Sequence, residues 1–409
     1  MSDTASTPLP LAGIRIVELA RGGAVAAACA FLCDLGADVV KVEPLGGDPR
    51  RHLRLPWDEG TGEPAPVFEL DNRGKRSLAL AWETEGGLAL LGDLAAGADV
   101  FATDLPLADQ ERHGLSAQVL AARNGRLVHA TVSPYGLRGP EAGRPGREEH
   151  AFWARSGIMG MLGEPTDPPP MIAPGMGDHM TSINLVTATM AAIRQRDTAG
   201  AGVQGDVSLL GSGMWMLSGD TAATLVAGKT APRGARDKAL NPFRNHYRAR
   251  DGRWLFLVMP QPKAYWERLC RALGRPEWLD AERWGTFEQR MERNEELVAE
   301  LGEIFGSRDF AEWRERLDAE RLIWAPVAQL PQVVEDPQLR AMDYFRPVPR
   351  PDGSQAFTVA PPVHIAGADI GPRGPAPALG AHTAEILAEL GRTAEQTAAL
   401  RAAGVLPPA

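Results

Sequence analysis

The chain has 409 residues, of which 44% are hydrophobic and 23% charged, values typical of soluble globular proteins. This length predicts two or three domains, because a single core rarely grows beyond about 250–300 residues. The net charge of −9 and the lack of a Lys/Arg block argue against a nucleic-acid partner, but not against a small anionic ligand. The sequence has no apolar run of about 18 residues and no secretory signal pattern, so we predict a cytoplasmic protein with no membrane partner.

The cysteines and histidines show no pattern of a structural or catalytic metal site. The three cysteines, Cys29, Cys33 and Cys270, form neither a disulfide framework nor a CxxC pair. We expect them to be buried and to behave as small hydrophobic residues. The eight histidines lack metal-ligand spacing such as HExxH, so no metal is predicted.

The first 140 residues alternate between strand and helix patterns. Short apolar runs rich in β-branched residues predict strands at IRIVEL, ADVVKVE, KRSLALAW, ADVFATD and GRLVHATVSPYG. Helical segments separate them, AVAAACAFLCDL before the C-cap Gly36 and GLALLGDLAAG further on. This βαβ alternation predicts an α/β fold with a doubly wound, Rossmann-like parallel sheet.

The remaining chain predicts a long helix and a smaller second domain. From Asp178 onward, Ile183, Val186, Met190 and Ile193 recur at helical spacing and predict one apolar face. The strand VQGDVSLL follows, then a polar linker (GKTAPRGARDKALNP), the hairpin HYRARDGRWLFLVM and several helices, and the tail closes with the helix HTAEILAELG. We therefore predict a large domain over 1–228, a small α+β domain over 229–330 and a C-terminal segment, 331–409, that returns to the large domain.

Two segments near the N-terminus are candidates for ligand binding. The turn after the first strand contains Gly22 and Gly23 but lacks the full GxGxxG fingerprint, so it indicates close approach of some ligand rather than a dinucleotide site. The segment LDNRGKRS gathers Arg73, Lys75 and Arg76 just before a strand. It is either a solvated loop or a clamp for phosphate groups.

Asp178 is the candidate for chemistry. An aspartate before an apolar helix is a favoured N-cap, and the same position at a helix start suits an ionised nucleophile. Gly175 and Gly177 leave space around it. A lone histidine such as the adjacent His179 more often has a structural role. The chain has no GxSxG elbow and no cysteine in a reactive context.

Eight segments in order give the sequence a resemblance to the class III CoA-transferase family, which includes formyl-CoA transferase and carnitine CoA-transferase. They are PLAGIRIVELARGG…FLCDLGADVVKVEPLGGDPRR, NRGKRSLAL, ADVFATD…ERHGL, ARNGRLVHATVSPYGLRGP, SGIMGMLGEPTDPPPMIAPGMGDHMTS, VQGDVSLL, and WAPVAQLPQVVEDPQL with GPAPALGAHTAEILAELG. The resemblance implies that Asp178 attacks an acyl-CoA thioester, and that CoA then passes through anhydride and aspartyl-CoA intermediates to a carboxylic acid.

The resemblance also implies the contacts with CoA. They would come from the first turn, from the end of the second strand, from the cationic segment and from the pantetheine channel: Gly22, Gly23, Ala24, Glu43, Pro44, Asn72, Arg73, Lys75, Asp104, Leu105, Arg112, Ser133 and Tyr135. An interlocked homodimer is implied as well.

Three departures from the family pattern bear on the substrate. Gly23 replaces a glutamine that approaches the reacting carbonyl in formyl-CoA transferase, Asp104 puts an acid near an anionic cofactor, and no glycine-rich lid is found. Oxalate and formate are therefore not expected as substrates.

Two alternatives to the transferase remain open. A 2-methylacyl-CoA racemase would need a second proton carrier, but Glu148 and Glu149 stand where a His-Asp step is expected, and His150 comes one residue later. A non-catalytic acyl-CoA-binding homologue is the other alternative.

Overall fold

The computed structural model describes residues 8–55, 65–230, 233–280, 282–350 and 353–408. Residues 1–7, part of the segment searched for a signal peptide, and residues 231–232 of the predicted linker lie outside this range. Contacts divide the chain into two compact units. The first contains residues 1–159, 171–230 and 340–409, and the second contains 160–170 and 231–339.

A six-stranded parallel sheet with the order β3-β2-β1-β4-β5-β6 organises the first unit. Its strands are β1 (Arg15–Leu19), β2 (Asp38–Glu43), β3 (Arg76–Ala79), β4 (Val100–Thr103), β5 (Val128–Ser133) and β6 (Gln204–Ser208). Each lies within a run predicted from the sequence. The parallel doubly wound sheet is thus confirmed.

The remaining strands form two smaller antiparallel sheets. The second unit has the three-stranded sheet β7-β8-β9, and the first unit has the pair β10-β11. These strands are β7 (Arg244–Arg248), β8 (Trp254–Val258), β9 (Trp324–Pro326), β10 (Phe345–Pro349) and β11 (Gln355–Val359).

The α-helices vary from single turns to the 24-residue α7. They are α1 (Gly23–Asp34), α2 (Pro66–Asn72), α3 (Glu85–Ala96), α4 (Leu107–Arg112), α5 (Ala117–Arg123), α6 (Ile158–Met161), α7 (Met176–Ala199), α8 (Leu209–Met216), α9 (Ser218–Ala227), α10 (Pro262–Leu273), α11 (Phe287–Glu292), α12 (Asn294–Phe305), α13 (Phe310–Ala319), α14 (Leu330–Val333), α15 (Pro337–Ala341), α16 (Thr383–Glu389) and α17 (Ala394–Ala402). The predicted closing helix is α16, but α17 follows it, so the expectation that the tail ends there was wrong.

The two faces of the large sheet contribute to separate cores. Val17 and Leu19 of β1 pack with residues of α3 and α16, whereas Ile16 packs with residues of α1 and α7. Successive side chains of a strand point to opposite faces, so the apolar run buries both sides. The second unit has its own core around β7, β8 and four buried tryptophans, Trp266, Trp278, Trp284 and Trp313.

Helix α7 does not bury its predicted apolar face as one stripe. Val186 and Ile193 are buried, but Ile183 and Met190 are each 40% exposed. The helix packs on α1 and β5 with one side, and its outward side keeps apolar side chains at the surface. The helical spacing was right, but it could not separate the side facing the sheet from the outward side.

The strand order places a natural crevice at the carboxyl edge of the sheet. In a doubly wound sheet the connections after neighbouring strands diverge where the strand order reverses, and ligands bind there. Here that point lies between β1 and β4. The turn with Gly22 and the segment with Asp104 follow these two strands.

Candidate active site

Asp178 lies in the first turn of α7, as the third residue of the helix. The N-cap is Gly175, with a φ of +96° that favours glycine, and its position has no side-chain cap. The interpretation of Asp178 as the N-cap was therefore wrong. Because the first turn of a helix carries partial positive charge, this position still favours an ionised carboxylate.

Glu148 takes the role of the cap from another part of the chain. Its buried carboxylate accepts the backbone N–H of Gly175, and its Oε2 accepts that of Asp178 at 3.0 Å. A Cβ on Gly177 would lie 2.8 Å from Glu148 Oε2 and 2.8 Å from the Phe152 ring. Gly177 is therefore needed for this approach, and sequence spacing had no signal for a cap 30 residues away.

Burial and neighbouring charges raise the pKa of Asp178 to about 6. Burial is the largest cause, and the carboxylates of Glu148 and Asp71 act in the same direction. The charges of Arg50 and His179 oppose them. With a pKa near this value the Asp178 carboxyl is mostly ionised at pH 7. The group is thus available as a nucleophile and is more basic than an ordinary aspartate.

Gly23, the first residue of α1, lies between two functional groups. A Cβ atom there would collide with Arg50 Nη1 and with Asp178 Oδ2. The sequence indicated that glycine at this turn permits close approach of a ligand. In the structure it permits the approach of a guanidinium and a carboxylate from the protein itself.

Asp71 joins Arg50 and His179 beside Asp178. Arg50 Nη2 donates to Asp71 Oδ2 at 2.8 Å, and His179 Nε2 lies 3.0 Å from Asp71 Oδ1. Since an ionised carboxylate only accepts, Nε2 is the protonated nitrogen. This hydrogen bond raises the pKa of His179. Sequence reasoning missed Arg50 and Asp71, because their proximity depends on the 3₁₀ turn Pro49–His52, α2 and the start of α7 meeting in space.

Asp104 holds the first turn. Its carboxylate accepts the N–H of Arg21 at 2.9 Å and that of Gly22 at 2.5 Å. Burial raises its pKa, while these two hydrogen bonds lower it. Ala24 and Leu105 are buried next to this turn in the sequence. Asp104, which the sequence placed as an acid near an anionic cofactor, thus binds the backbone of its own protein.

The cationic segment is buried, so the interpretation as a solvated loop was wrong. Arg73 pairs with Asp34 at 2.5 Å, and Lys75 pairs with Glu18 at 2.6 Å. Lys75 also donates to Asn72 Oδ1 at 2.9 Å. The charged groups of these residues have internal partners in this structure. Their contact with CoA phosphates stays a prediction.

Among the described residues, no hydrogen bond or ion pair joins the other predicted CoA contacts to Asp178. Glu43 is buried and pairs with Arg51 at 2.6 Å, and Pro44 follows it at the surface. Arg112 is exposed and pairs with Asp109 at 2.9 Å. The hydroxyl of Ser133 accepts the N–H of Gly136 at 3.0 Å, and Tyr135 is half-buried. Their roles in binding CoA stay predictions.

The described residues contain neither a candidate membrane span nor a metal-binding cluster. No helix there is both long and apolar enough to span a bilayer. No group of three or more His, Cys, Asp or Glu side chains there is arranged to hold a metal ion. All three cysteines are free and buried, as expected.

Comparison with known proteins identifies the relatives of this chain. Residues 11–383 match the profile described as CoA-transferase family III. An (R)-2-hydroxy-4-methylpentanoate CoA-transferase from Clostridioides difficile is 27% identical, over 94% of this chain and 96% of the relative. The beta subunit of a succinyl-CoA–L-malate CoA-transferase from Chloroflexus aurantiacus is 30% identical, over 99% and 100%. A CAIB/BAIF family protein from Brucella suis has a similar crystal structure, with a TM-score of 0.83, 29% identity and coverage of 94% and 100%.

Proposed function

The chain belongs to CoA-transferase family III and is a CoA-transferase with CoA thioesters as substrates, and we propose that it transfers CoA through covalent intermediates on Asp178. The expectation of this enzyme class is thus confirmed. The observation that carries the proposal is the position of Asp178. It is a basic carboxylate in the first turn of α7, beside the glycine turn of α1.

The proposed reaction uses Asp178 twice. Its carboxylate attacks the donor thioester, forms a mixed anhydride and releases CoA as the thiolate. The thiolate attacks the carbonyl of Asp178, which gives an aspartyl-CoA thioester and frees the donor acid. The acceptor carboxylate repeats these two steps in reverse. N–H groups at the start of α1 and the Arg50 guanidinium are available near the oxyanions that develop.

The racemase alternative is not favoured. The relatives matched above are named CoA-transferases. The segment expected to hold a second proton carrier places Glu148 on the backbone of α7, while His150 is exposed. The match to a family of transferases likewise disfavours a non-catalytic binder.

Acidic acceptors with a 2-hydroxyl group are the first substrates to test. The names of the two relatives contain such acids, 2-hydroxy-4-methylpentanoate and malate. We propose that this chain uses acids of the same kind. A screen should pair these acids, and dicarboxylates, with acyl-CoAs.

Trapping with hydroxylamine tests the nucleophile. After incubation with a substrate acyl-CoA, mass spectrometry should find a hydroxamate on Asp178 of the wild type. Asp178→Asn should give no adduct and lose about 10⁴-fold or more in turnover. The matched control is Asp237→Asn, at an exposed aspartate of the second unit, which should retain both the adduct and the turnover. An adduct on another residue, or an active Asp178→Asn enzyme, would reject the assignment.

We also propose a homodimer, interlocked as the resemblance implies. Apolar side chains on α7, α8 and α9 are exposed in the single chain, including Met176, Trp215, Leu225 and Val226. Helix α9 has no buried residue at all. Apolar surface of this extent on three consecutive helices is typical of a surface covered by another subunit.

A further inference from the structure

Arg50 is held rigidly at the edge of the candidate active site. It lies in a 3₁₀ turn, Pro49–His52, and Asp48 caps that turn by accepting the Arg50 N–H at 2.9 Å. The Arg50 side chain is 17% exposed, and its Nη2 is bound to Asp71, which is 1% exposed. The guanidinium therefore has a fixed position that solvent-borne molecules can still reach.

The other arm of the guanidinium faces Asp178. A Cβ on Gly23 would collide with Arg50 Nη1 on one side and with Asp178 Oδ2 on the other. Arg50 also lowers the pKa of Asp178, so the two charges interact. Within the described residues, the hydrogen bonds of the Arg50 side chain go to Asp71 alone. Donors of Arg50 next to the proposed nucleophile are thus left for a ligand.

The balance of charge around Arg50 changes during the proposed reaction. In the free enzyme, the carboxylate of Asp178 supplies negative charge next to Nη1. An anhydride or a thioester on Asp178 is neutral, and this negative charge is then lost. Asp71 stays bound to Nη2, so Nη1, which faces the reacting group, loses its counter-charge. A half-buried cation without a counter-charge attracts an anion strongly.

We propose that Arg50 binds the carboxylate of the acceptor acid, and that this binding becomes strong only when Asp178 is acylated. The proposal deepens the function above and rests on Asp178 as the nucleophile. An acceptor oxygen attacks the carbonyl carbon of the aspartyl-CoA thioester. A C–O bond forms, the C–S bond breaks, and CoA leaves as the thiolate without any proton transfer.

This arrangement gives the enzyme its order of substrates. An acceptor carboxylate meets an anionic Asp178 before the donor has reacted, and the two carboxylates repel each other. After acylation the same carboxylate finds the free arm of Arg50. The acceptor acid therefore binds weakly to the free enzyme and strongly to the acylated intermediate. Lysine would not replace arginine here, because one ammonium cannot bind Asp71 and present a second, fixed donor.

Binding of fluoroacetate, followed by fluorine NMR, tests the proposal without any turnover. Asp178→Asn replaces the carboxylate by a neutral group of the same shape, as acylation does. We expect it to bind fluoroacetate about fivefold or more tightly than the wild type. Adding Arg50→Gln to Asp178→Asn should weaken this binding about tenfold, and adding Arg50→Lys should weaken it too. Adding Arg126→Gln, which removes an exposed arginine paired with Asp197, should change nothing.

Two results would overturn the proposal: equal binding by the wild type and Asp178→Asn, or equal binding by Asp178→Asn with and without Arg50. Circular dichroism of each variant establishes that it is folded, and the lysine variant retains the positive charge beside Asp71. The trapping experiment does not involve Arg50. A missing adduct together with Arg50-dependent binding would reject Asp178 as the nucleophile, and with it the role of acylation, but would keep Arg50 as the carboxylate site. An adduct together with Arg50-independent binding would reject the present proposal alone.

Discussion

At the scale of single residues, Asp178 combines opposing effects. Burial and two carboxylates disfavour its charge, whereas Arg50, His179 and the first turn of α7 favour it. The result is a carboxylate that is mostly ionised at neutral pH but more basic than a surface aspartate, as the proposed nucleophile requires. Glu148 has two opposing effects on Asp178. It fixes the helix start that favours the charged carboxylate, and its own negative charge raises the pKa of Asp178.

A raised carboxyl pKa has a consequence for stability. The folded protein holds the proton of Asp178 up to about its pKa of 6, whereas the unfolded chain loses it near the ordinary aspartate pKa of 3.8. Between these values the folded state binds more protons, so the contribution of Asp178 to stability falls as the pH rises. Asp178→Asn should therefore raise the stability at pH 8 by about 1–2 kcal/mol, after allowance for solvent screening.

Thermal unfolding of Asp178→Asn at several pH values checks this prediction. The melting temperature should exceed that of the wild type by about 1–3 °C at pH 8. The difference should shrink through pH 6 and vanish below about pH 4. Asp237→Asn, at an exposed site of the second unit, provides the control for a simple loss of charge. A variant that melts below the wild type at pH 8 would contradict the assigned environment of Asp178.

At the scale of elements, two helix starts converge on the carboxyl edge of the sheet. Helix α1 begins at Gly23 after β1, and α7 begins at Met176 and packs against α1. Asp104, after β4, fixes the backbone of the first turn, and Glu148 fixes that of the second. Each start is thus held by a carboxylate from a distant segment.

Gly177→Ala tests how much this geometry matters. The added Cβ would lie 2.8 Å from both Glu148 Oε2 and Phe152, so the carboxylate or the helix start must move. We expect the chain to fold. The rate of adduct formation on Asp178 should fall about tenfold or more, since displacing a reacting group by about 1 Å can lower the rate by this factor or more. Gly302→Ala is the matched control, because a Cβ at that site in α12 meets nothing within 4 Å. Equal rates for the two variants would show that the Glu148 contact is not required.

At the scale of the whole molecule, the exposed apolar side chains of α7, α8 and α9 predict association. Light scattering coupled to size-exclusion chromatography should give twice the chain mass of 43.9 kDa. The mass should persist in 1 M salt, because an apolar interface is not screened. Trp215→Glu, at a side chain that is 68% exposed, should reduce the dimer. A monomer at micromolar concentration would contradict the proposal.

The sequence contained the information for the large sheet. Apolar runs such as IRIVEL and ADVVKVE bury both faces of their strands, and this requirement appears in the local composition alone. Ordered motifs likewise pointed to the enzyme class and singled out Asp178. The class is confirmed by the family match, and the role of Asp178 stays a proposal.

The environment of Asp178 depended on contacts between distant segments. The pattern around residue 178 was compatible with a cap, but Glu148 fills that role. Likewise, the sequence left Arg73 and Lys75 as either a solvated loop or a phosphate clamp, because charge in a sequence does not reveal its partners. Asp34 and Glu18 come from distant segments of the chain and form buried ion pairs with Arg73 and Lys75. Periodicity and motifs indicate which side chains are buried. The pairing of charged side chains depends instead on which segments are in contact. Those contacts are established only by the packing of the sheet and its helices.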